Sequence, residues 1–238
     1  HRDLHSFPTR RSSDLPVPGG EFNGYNGAFF QSEREAFILV ASPDGSNNGT
    51  LNYTNDGGQT WESIPVPMSS GAIQFLSNTN QEGFIFQTLG VAAGSMPVAV
   101  YQTLDQENWL RTFAHDRAEE IEGLPFSGNK NGAVFINPSL GYITGSEPVE
   151  NSMYLFRTGD AGRTWQRVAL PLPEGVQNYM AETLPPIFFQ DGKGFLPVDF
   201  LMGDDAIRVF YFTEDGGASW APRGSVPQIG RASCRERV

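Results

Sequence analysis

One turn recurs through the chain and leaves little freedom in how it folds. Thr158-Gly-Asp-Ala-Gly-Arg-Thr-Trp165 is the clearest copy, matched by Thr54-Asn-Asp-Gly-Gly-Gln-Thr-Trp61 and Thr213-Glu-Asp-Gly-Gly-Ala-Ser-Trp220. Thr103-Leu-Asp-Gln-Glu-Asn-Trp109 is a worn copy, one residue shorter. All four tryptophans of the chain end a copy, so the copies mark a repeat. Their aspartates, Asp56, Asp105, Asp160 and Asp215, stand 49, 55 and 55 residues apart.

Each turn follows a strand-like run, at 50–53, 98–101, 153–156 and 207–212. Further upstream lie two more apolar runs joined by a polar turn: 27–30 and 37–40, 72–76 and 84–86, 133–136 and 141–143, 187–189 and 194–196. Such short runs between Gly, Asn, Asp and Pro clusters are the pattern of many short strands. The one helical candidate of any size is 116–122, short and acidic. Each unit therefore reads as strand A, tight turn, strand B, variable loop, strand C, Trp turn, strand D. Four strands in about 40–55 residues predict an all-β fold, a β-propeller of four-stranded antiparallel blades. The blades fall at about 26–64, 71–113, 131–168 and 186–223.

Every residue of the turn has an architectural reason. Thr54, Thr158 and Thr213, with the aspartates, close a turn on nearby backbone groups. Gly58, Gly162 and Gly217 permit positive φ. Trp61, Trp109, Trp165 and Trp220 begin the outer strand and are expected to bury their rings between blades, with the indole N–H finding a partner. The turn resembles the Asp-box, or BNR, repeat, [ST]-x-D-[GA]-G-x-[ST]-W; three copies match it fully, while 103–109 keeps only Thr, Asp and Trp. That resemblance implies a partial Asp-box propeller over 16–227. Propellers of this kind include exo-sialidases, some endoglucanase families, sorting-receptor ectodomains and photosystem II assembly-factor-like proteins, so the motif specifies fold strongly and activity weakly.

The two ends read differently. Residues 1–15 and 228–238 resemble frame translations of a sequencing adapter and of its reverse complement, and are set aside as artefactual tails. Without them 10 basic residues face 24 acidic ones, a net charge of −14; no cysteine remains, and His115 is the sole histidine. This excludes Cys nucleophiles, disulfides and Cys/His zinc sites, and a charge so negative repels nucleic acid. No apolar run is long enough to span a membrane. Four repeats in a chain cut at both ends are read as part of a larger ring, secreted, periplasmic or on the cell surface, whose signal peptide is not in view.

Topology separates the two ends of every blade. A–B and C–D turns share one end with the Asp boxes, which in the sialidases it resembles lies away from the active site. The candidate functional face is therefore built from 42–49, 88–97, 145–152 and 199–206, with 65–71, 113–131 and 170–186. An exo-sialidase needs clustered arginines and a Tyr–Glu pair, yet of the eight arginines only Arg111 and Arg117 are expected on this face. It holds carboxylates instead, and Asp116, Asp199, Asp204 and Asp205 are the candidates for a carboxylate pair or a ligand contact. Asp204-Asp205 lacks a regular calcium-ligand spacing, and no metal, cofactor or catalytic set is assigned. His115-Asp116-Arg117 reads as surface. Met68, Met96 and Tyr179-Met180 fall in the same loops, and Asn48 and Asn52 begin N-glycosylation patterns. The expectation is a non-catalytic module that binds a protein or carbohydrate ligand; the alternative is a secreted glycoside hydrolase of sialidase-like or neutral-glucan type.

Overall fold

A computed structural model describes residues 27–76, 81–90, 94–116, 123–203 and 205–227. The chain divides into two compact units, His1–Ser70 and Gly71–Val238. Among the described residues there are strands and turns but no helix. Asp116, the first residue of the helical candidate, is not helical, and 117–122 lie outside the described residues.

The first unit holds one four-stranded antiparallel sheet of Gly27–Phe30 (β1), Ala36–Ala41 (β2), Gly49–Thr54 (β3) and Glu62–Val66 (β4), paired in chain order. Alternation sets its faces, with Phe37, Leu39 and Leu51 fully buried.

The second unit holds three such sheets. The first is Ala72–Phe75 (β5), Gly83–Thr88 (β6), Val98–Thr103 (β7) and Trp109–His115 (β8). The next is Asn129–Phe135 (β9), Gly141–Glu147 (β10), Ser152–Thr158 (β11) and Gln166–Val168 (β12). The last has five strands: Met180–Thr183 (β13), Ile187–Phe188 (β14), Gly194–Met202 (β15), Asp205–Thr213 (β16) and Ala221–Pro227 (β17). Both β13 and β14 pair with β15. The sequence placed 170–186 in a loop. Instead, 180–183 extend the inner edge of the sheet past the break at Pro185 and Pro186, because proline cannot donate to the ladder. All four sheets are meanders of one design, the blades of a β-propeller.

The core of the second unit lies in the seams between its blades. Between the first two of its blades, Phe84, Phe86, Val98 and Val100 meet Phe135, Ile143, Tyr154 and Phe156 in one buried cluster. Phe84 and Phe135 stack at 3.5 Å. A side-chain amide closes the seam as a strand would: Gln74 Nε2 donates to Phe135 O at 2.6 Å, and Gln74 Oε1 accepts from Phe135 N at 2.7 Å. The next seam repeats this with other residues. Tyr142, Met153 and Leu155 pack on Leu196, Val198 and Phe200, and Tyr142 stacks on Phe188 while its hydroxyl donates to Gly216 O. Asn131 Nδ2 donates to Thr183 O at 2.8 Å, and Thr183 Oγ1 donates to Gly145 O at 2.9 Å.

The expected burial of tryptophan between blades holds for two of the four. Trp165 meets Phe113 of the preceding blade and Trp220 packs with Tyr142 and Leu155; they are 3% and 5% exposed. Trp61 and Trp109 are only half-buried. Trp109 rests edge-on against Phe75 of its own blade. The indole N–H donates to Gln106 O in Trp109 and to Gly217 O in Trp220, whereas those of Trp61 and Trp165 are buried without an acceptor.

The Gln74 clamp is testable. Gln74→Ala strands the N–H and C=O of Phe135 in the seam. It should lower the unfolding free energy by about 1–3 kcal/mol, read as a lower urea midpoint at unchanged slope. An unchanged midpoint would show that this amide does not hold the blades together.

Candidate functional site

The end of each blade that carries the Thr-x-Asp turn is closed by a polar latch. In each full copy the first Thr hydroxyl donates to an aspartate oxygen, Thr54 to Asp56, Thr158 to Asp160 and Thr213 to Asp215, at 2.8–2.9 Å. The same hydroxyl accepts the N–H of Gly58, Gly162 or Gly217 at 2.9 Å. The seventh residue returns two further bonds, from its N–H and its hydroxyl: Thr60 to Asp56, Thr164 to Asp160, Ser219 to Asp215. In the shortened copy Asp105 accepts from Asn108 N and Nδ2, so Asn108 takes the place of the missing Thr.

Positive φ is needed at two positions of the full turn. The fourth, Gly57, Ala161 or Gly216, lies at 78°, 62° and 69°, beside Gly58, Gly162 and Gly217 at 84°, 86° and 82°. In the short copy Gln106 takes this conformation at 66°. The fourth residue's N–H reaches the A–B turn of its own blade: Gly57 to Arg34 O, Gln106 to Gln81 O, Ala161 to Ser139 O, Gly216 to Gly192 O, all at 2.9–3.1 Å. Gly217 has a second constraint, since a Cβ there would strike the Tyr142 hydroxyl.

These bonds account for the electrostatics of this end. Hydrogen bonds led by those from Thr60 and Ser219 hold Asp56 and Asp215 down at about 2. Asp105 is lowered chiefly by Asn108. Burial pushes Asp160 up, but Thr164 and Thr158 outweigh it and the net direction is down. Both oxygens of each carboxylate are thus engaged by its own turn.

The loop end is built differently. Here the D–A loop before β9 is tied to the B–C loop before β7. Gly128 N donates to Gly94 O at 2.8 Å, and Lys130 N to the Met96 sulfur at 3.3 Å. Lys130 is buried, and its ammonium donates to Phe126 O and Ser127 O at 2.8 and 2.7 Å. Burial lowers its pKa to about 8, with Glu147 pulling the other way. His115 is buried as well, 2% exposed, which corrects the surface reading. As the last residue of β8 it points inward, Nδ1 lying 3.0 Å from Leu124 O and the ring against Phe113 and Phe126.

The four acidic candidates do not converge. Asp116 is exposed beyond the end of β8, and Asp205 is exposed at the start of β16. Asp204 lies outside the described residues. Asp199 is gripped by Arg208, whose Nε and Nη2 donate to its two oxygens at 2.6 and 2.8 Å. Its cross-strand neighbour on the other side is Glu182, exposed on β13. Glu182, Asp199 and Arg208 therefore form a row across three strands. The row is hidden in the sequence because Pro185-Pro186 makes 170–186 read as loop; the alternation Met180-Ala-Glu-Thr183 is the signal for β13.

The arginines also fall elsewhere than expected. Arg111 is cross-strand to Tyr101, away from the loop end, and Arg117 lies outside the described residues. Arg208 and Arg167 reach the loop end instead, and both are engaged, Arg208 by Asp199 and Arg167 by Met153 O at 3.2 Å. Tyr154 beside Glu147 is the nearest thing to a Tyr–Glu pair. Its hydroxyl donates to Asn129 O at 2.7 Å, and burial, then Glu147, push its pKa up, the wrong direction for a nucleophile. Met68 is fully buried, Met96 half-buried and Met180 exposed. Asn48 is exposed, whereas Asn52 is 1% exposed and bonded to Ser63, so only the first glycosylation pattern is accessible. Among the described residues no group of His, Cys, Asp or Glu is placed to hold a metal ion, and no helix is long and apolar enough to cross a membrane.

No family model matches the chain, and no curated protein matches its sequence. Solved structures do resemble it. One is a mutant of the α-L-arabinofuranosidase Arb93A from Fusarium graminearum in complex with an iminosugar inhibitor, at 13% identity and a TM-score of 0.53. The match covers 85% of this chain and 65% of that one, so the chain spans about two thirds of the enzyme's length. At this identity the likeness speaks for the fold alone, and it agrees with the propeller seen in the four sheets.

The latches carry a pH prediction. A carboxyl whose folded pKa is depressed adds stability that is complete above its unfolded value of about 3.9 and is lost as pH falls toward the folded value. With Asp56 and Asp215 held at about 2, the melting temperature should fall between about pH 4 and pH 2, and Asp215→Asn should flatten that fall. A melting temperature constant over this window would count against the latches.

Proposed function

We propose that this chain is an extracytoplasmic β-propeller that binds a neutral carbohydrate at its loop face and does not cleave it. The observation that carries this reading is the contrast between the two ends. Asp56, Asp105, Asp160 and Asp215 spend their lone pairs on their own turns. Asp116, Glu174, Glu182 and Asp205 are exposed on the loop side. Free carboxylates accept hydrogen bonds from sugar hydroxyls and repel an anionic sugar. Met180 and Met202, both exposed, offer apolar contact beside them.

A glycoside hydrolase is the second reading, favoured by the cross-strand neighbours Glu182 and Asp199. Facing residues in an antiparallel pair have Cβ atoms about 5 Å apart, close to the separation of about 5–5.5 Å between the carboxyls of a retaining glycosidase. Against it, both oxygens of Asp199 already accept from Arg208. A sialidase has less support, since its arginines would have to be Arg208 and Arg167.

Calorimetric titration with neutral oligosaccharides of arabinose, glucose and galactose, run beside a reducing-sugar assay, tests both. The expected result is binding without turnover, weakened roughly tenfold or more by Glu182→Ala, as for loss of a charge-assisted hydrogen bond. Steady sugar release abolished by Asp199→Asn would establish the hydrolase instead. Binding to none of the sugars would sink the carbohydrate reading.

A further inference from the structure

Two acceptor patterns for one covalent modification overlap in the first unit, and the fold leaves only one of them usable. Asn48-Gly-Thr50 and Asn52-Tyr-Thr54 both carry the Asn-x-Thr pattern for an N-linked glycan. The first lies where the B–C loop enters β3; the second lies inside that strand.

Asn52 is committed to the blade. Its Nδ2 donates to Ile38 O and Thr50 O at 3.4 and 3.3 Å, and its Oδ1 accepts from Ser63 Oγ at 2.8 Å. Ile38 and Ser63 are its cross-strand partners, and both faces of β3 are buried, at Leu51 and at Asn52. A sugar on Nδ2 would take one of that nitrogen's two protons and would need space that a packed sheet lacks.

Asn48 is held by its main chain alone. Its N–H donates to Ser46 Oγ at 3.3 Å, and its carbonyl accepts from Ser42 N at 2.9 Å. Its amide is exposed and makes no hydrogen bond among the described residues. The side chains beside it are engaged: Asp44 Oδ1 accepts from Ser46 N, and Asn47 Oδ1 from Ser69 Oγ. The middle residue of the pattern, Gly49, cannot gain a side chain that crowds the amide, since a Cβ there would strike Met68 O and Val40 O.

We propose that Asn48 is an N-glycan acceptor and that Asn52 is not one in the folded protein. This rests on the extracytoplasmic reading above, because the donor is a lipid-pyrophosphate-linked oligosaccharide met by an oligosaccharyltransferase during export. Asn48 Nδ2 bonds to the anomeric carbon of the donor. The anomeric C–O bond breaks, and the lipid pyrophosphate leaves with the electron pair while the amide gives up one proton. Transfer comes before folding, so a chain modified at Asn52 carries a bulky hydrated group into a buried strand position and is lost. The folded protein therefore bears one glycan, at the loop end of the first blade.

The test is to express the full chain behind an added secretion signal in a eukaryotic host. The secreted protein is then treated with a peptide-N-glycosidase in heavy-oxygen water, which marks each former glycan site. The wild type should lose the mass of a single glycan and carry the mark at Asn48. Asn48→Gln and Thr50→Ala should both be secreted without a glycan, whereas Thr50→Ser should retain it. A wild type without a glycan overturns the proposal, as does a mark at Asn52 or a glycan that survives Asn48→Gln. The added signal imposes export, so these outcomes bear on Asn48 alone. The extracytoplasmic reading fails separately, if the native gene product fractionates with the cytosol.

Discussion

Everything in the second unit depends on an aromatic ring of one blade finding a phenylalanine of the next. A four-stranded sheet of this size has two faces to cover and buries little by itself, so a blade is stable only when both faces are occupied by neighbours. The Phe84–Phe135 and Tyr142–Phe188 stacks do this at the same place in successive seams. Backbone-like clamps flank them: the Gln74 amide on one side, and the Asn131–Thr183–Gly145 bonds on the other. These clamps differ in chemistry from seam to seam while the stack is kept. The apolar term is thus the repeating one, and the polar groups satisfy whatever backbone each seam leaves open.

The Thr-x-Asp turns act one level below. Each latch fixes the outer hairpin of a blade to its own A–B turn through the N–H of the fourth residue, with Ala161 and Gln106 holding the same left-handed backbone as Gly57 and Gly216. That two non-glycine residues hold it shows how firmly the surrounding bonds impose the shape. The latch then places the tryptophan. Where a preceding blade of the same unit is present, Trp165 and Trp220 insert into the seam. Local turn chemistry and blade packing are therefore coupled through one residue.

This hierarchy explains what could be read from the chain. The turn and the apolar runs were legible because they rest on local rules: Thr-x-Asp turn chemistry, positive φ at glycine, and alternation. β13 was not, because Pro185-Pro186 interrupts the run and mimics a loop boundary, although Glu182 and Thr183 still pair with β15. His115 was misjudged because its burial comes from Leu124 and Phe126, distant partners that no local pattern announces. Arg208 was misplaced because its side chain is directed by Asp199 on the neighbouring strand. At the loop end, long-range contacts decide orientation, and one sequence shows only the residue types.

The same contrast bears on function. A carboxylate with three bonds to its own turn, such as Asp160, can be replaced only at the expense of the hairpin. Exposed carboxylates at the loop end carry no such load and can change without disturbing the blade. Lys130 and Tyr154 sit between these extremes: both are buried under the loops and both bond to main-chain carbonyls, so they shape the floor of that face. A ligand that lies there meets rigid walls set by β9 to β11 and a rim of free acids. Under the proposed reading, those acids accept hydrogen bonds from ligand hydroxyls while the main-chain bonds of Lys130 and Tyr154 hold the floor in place.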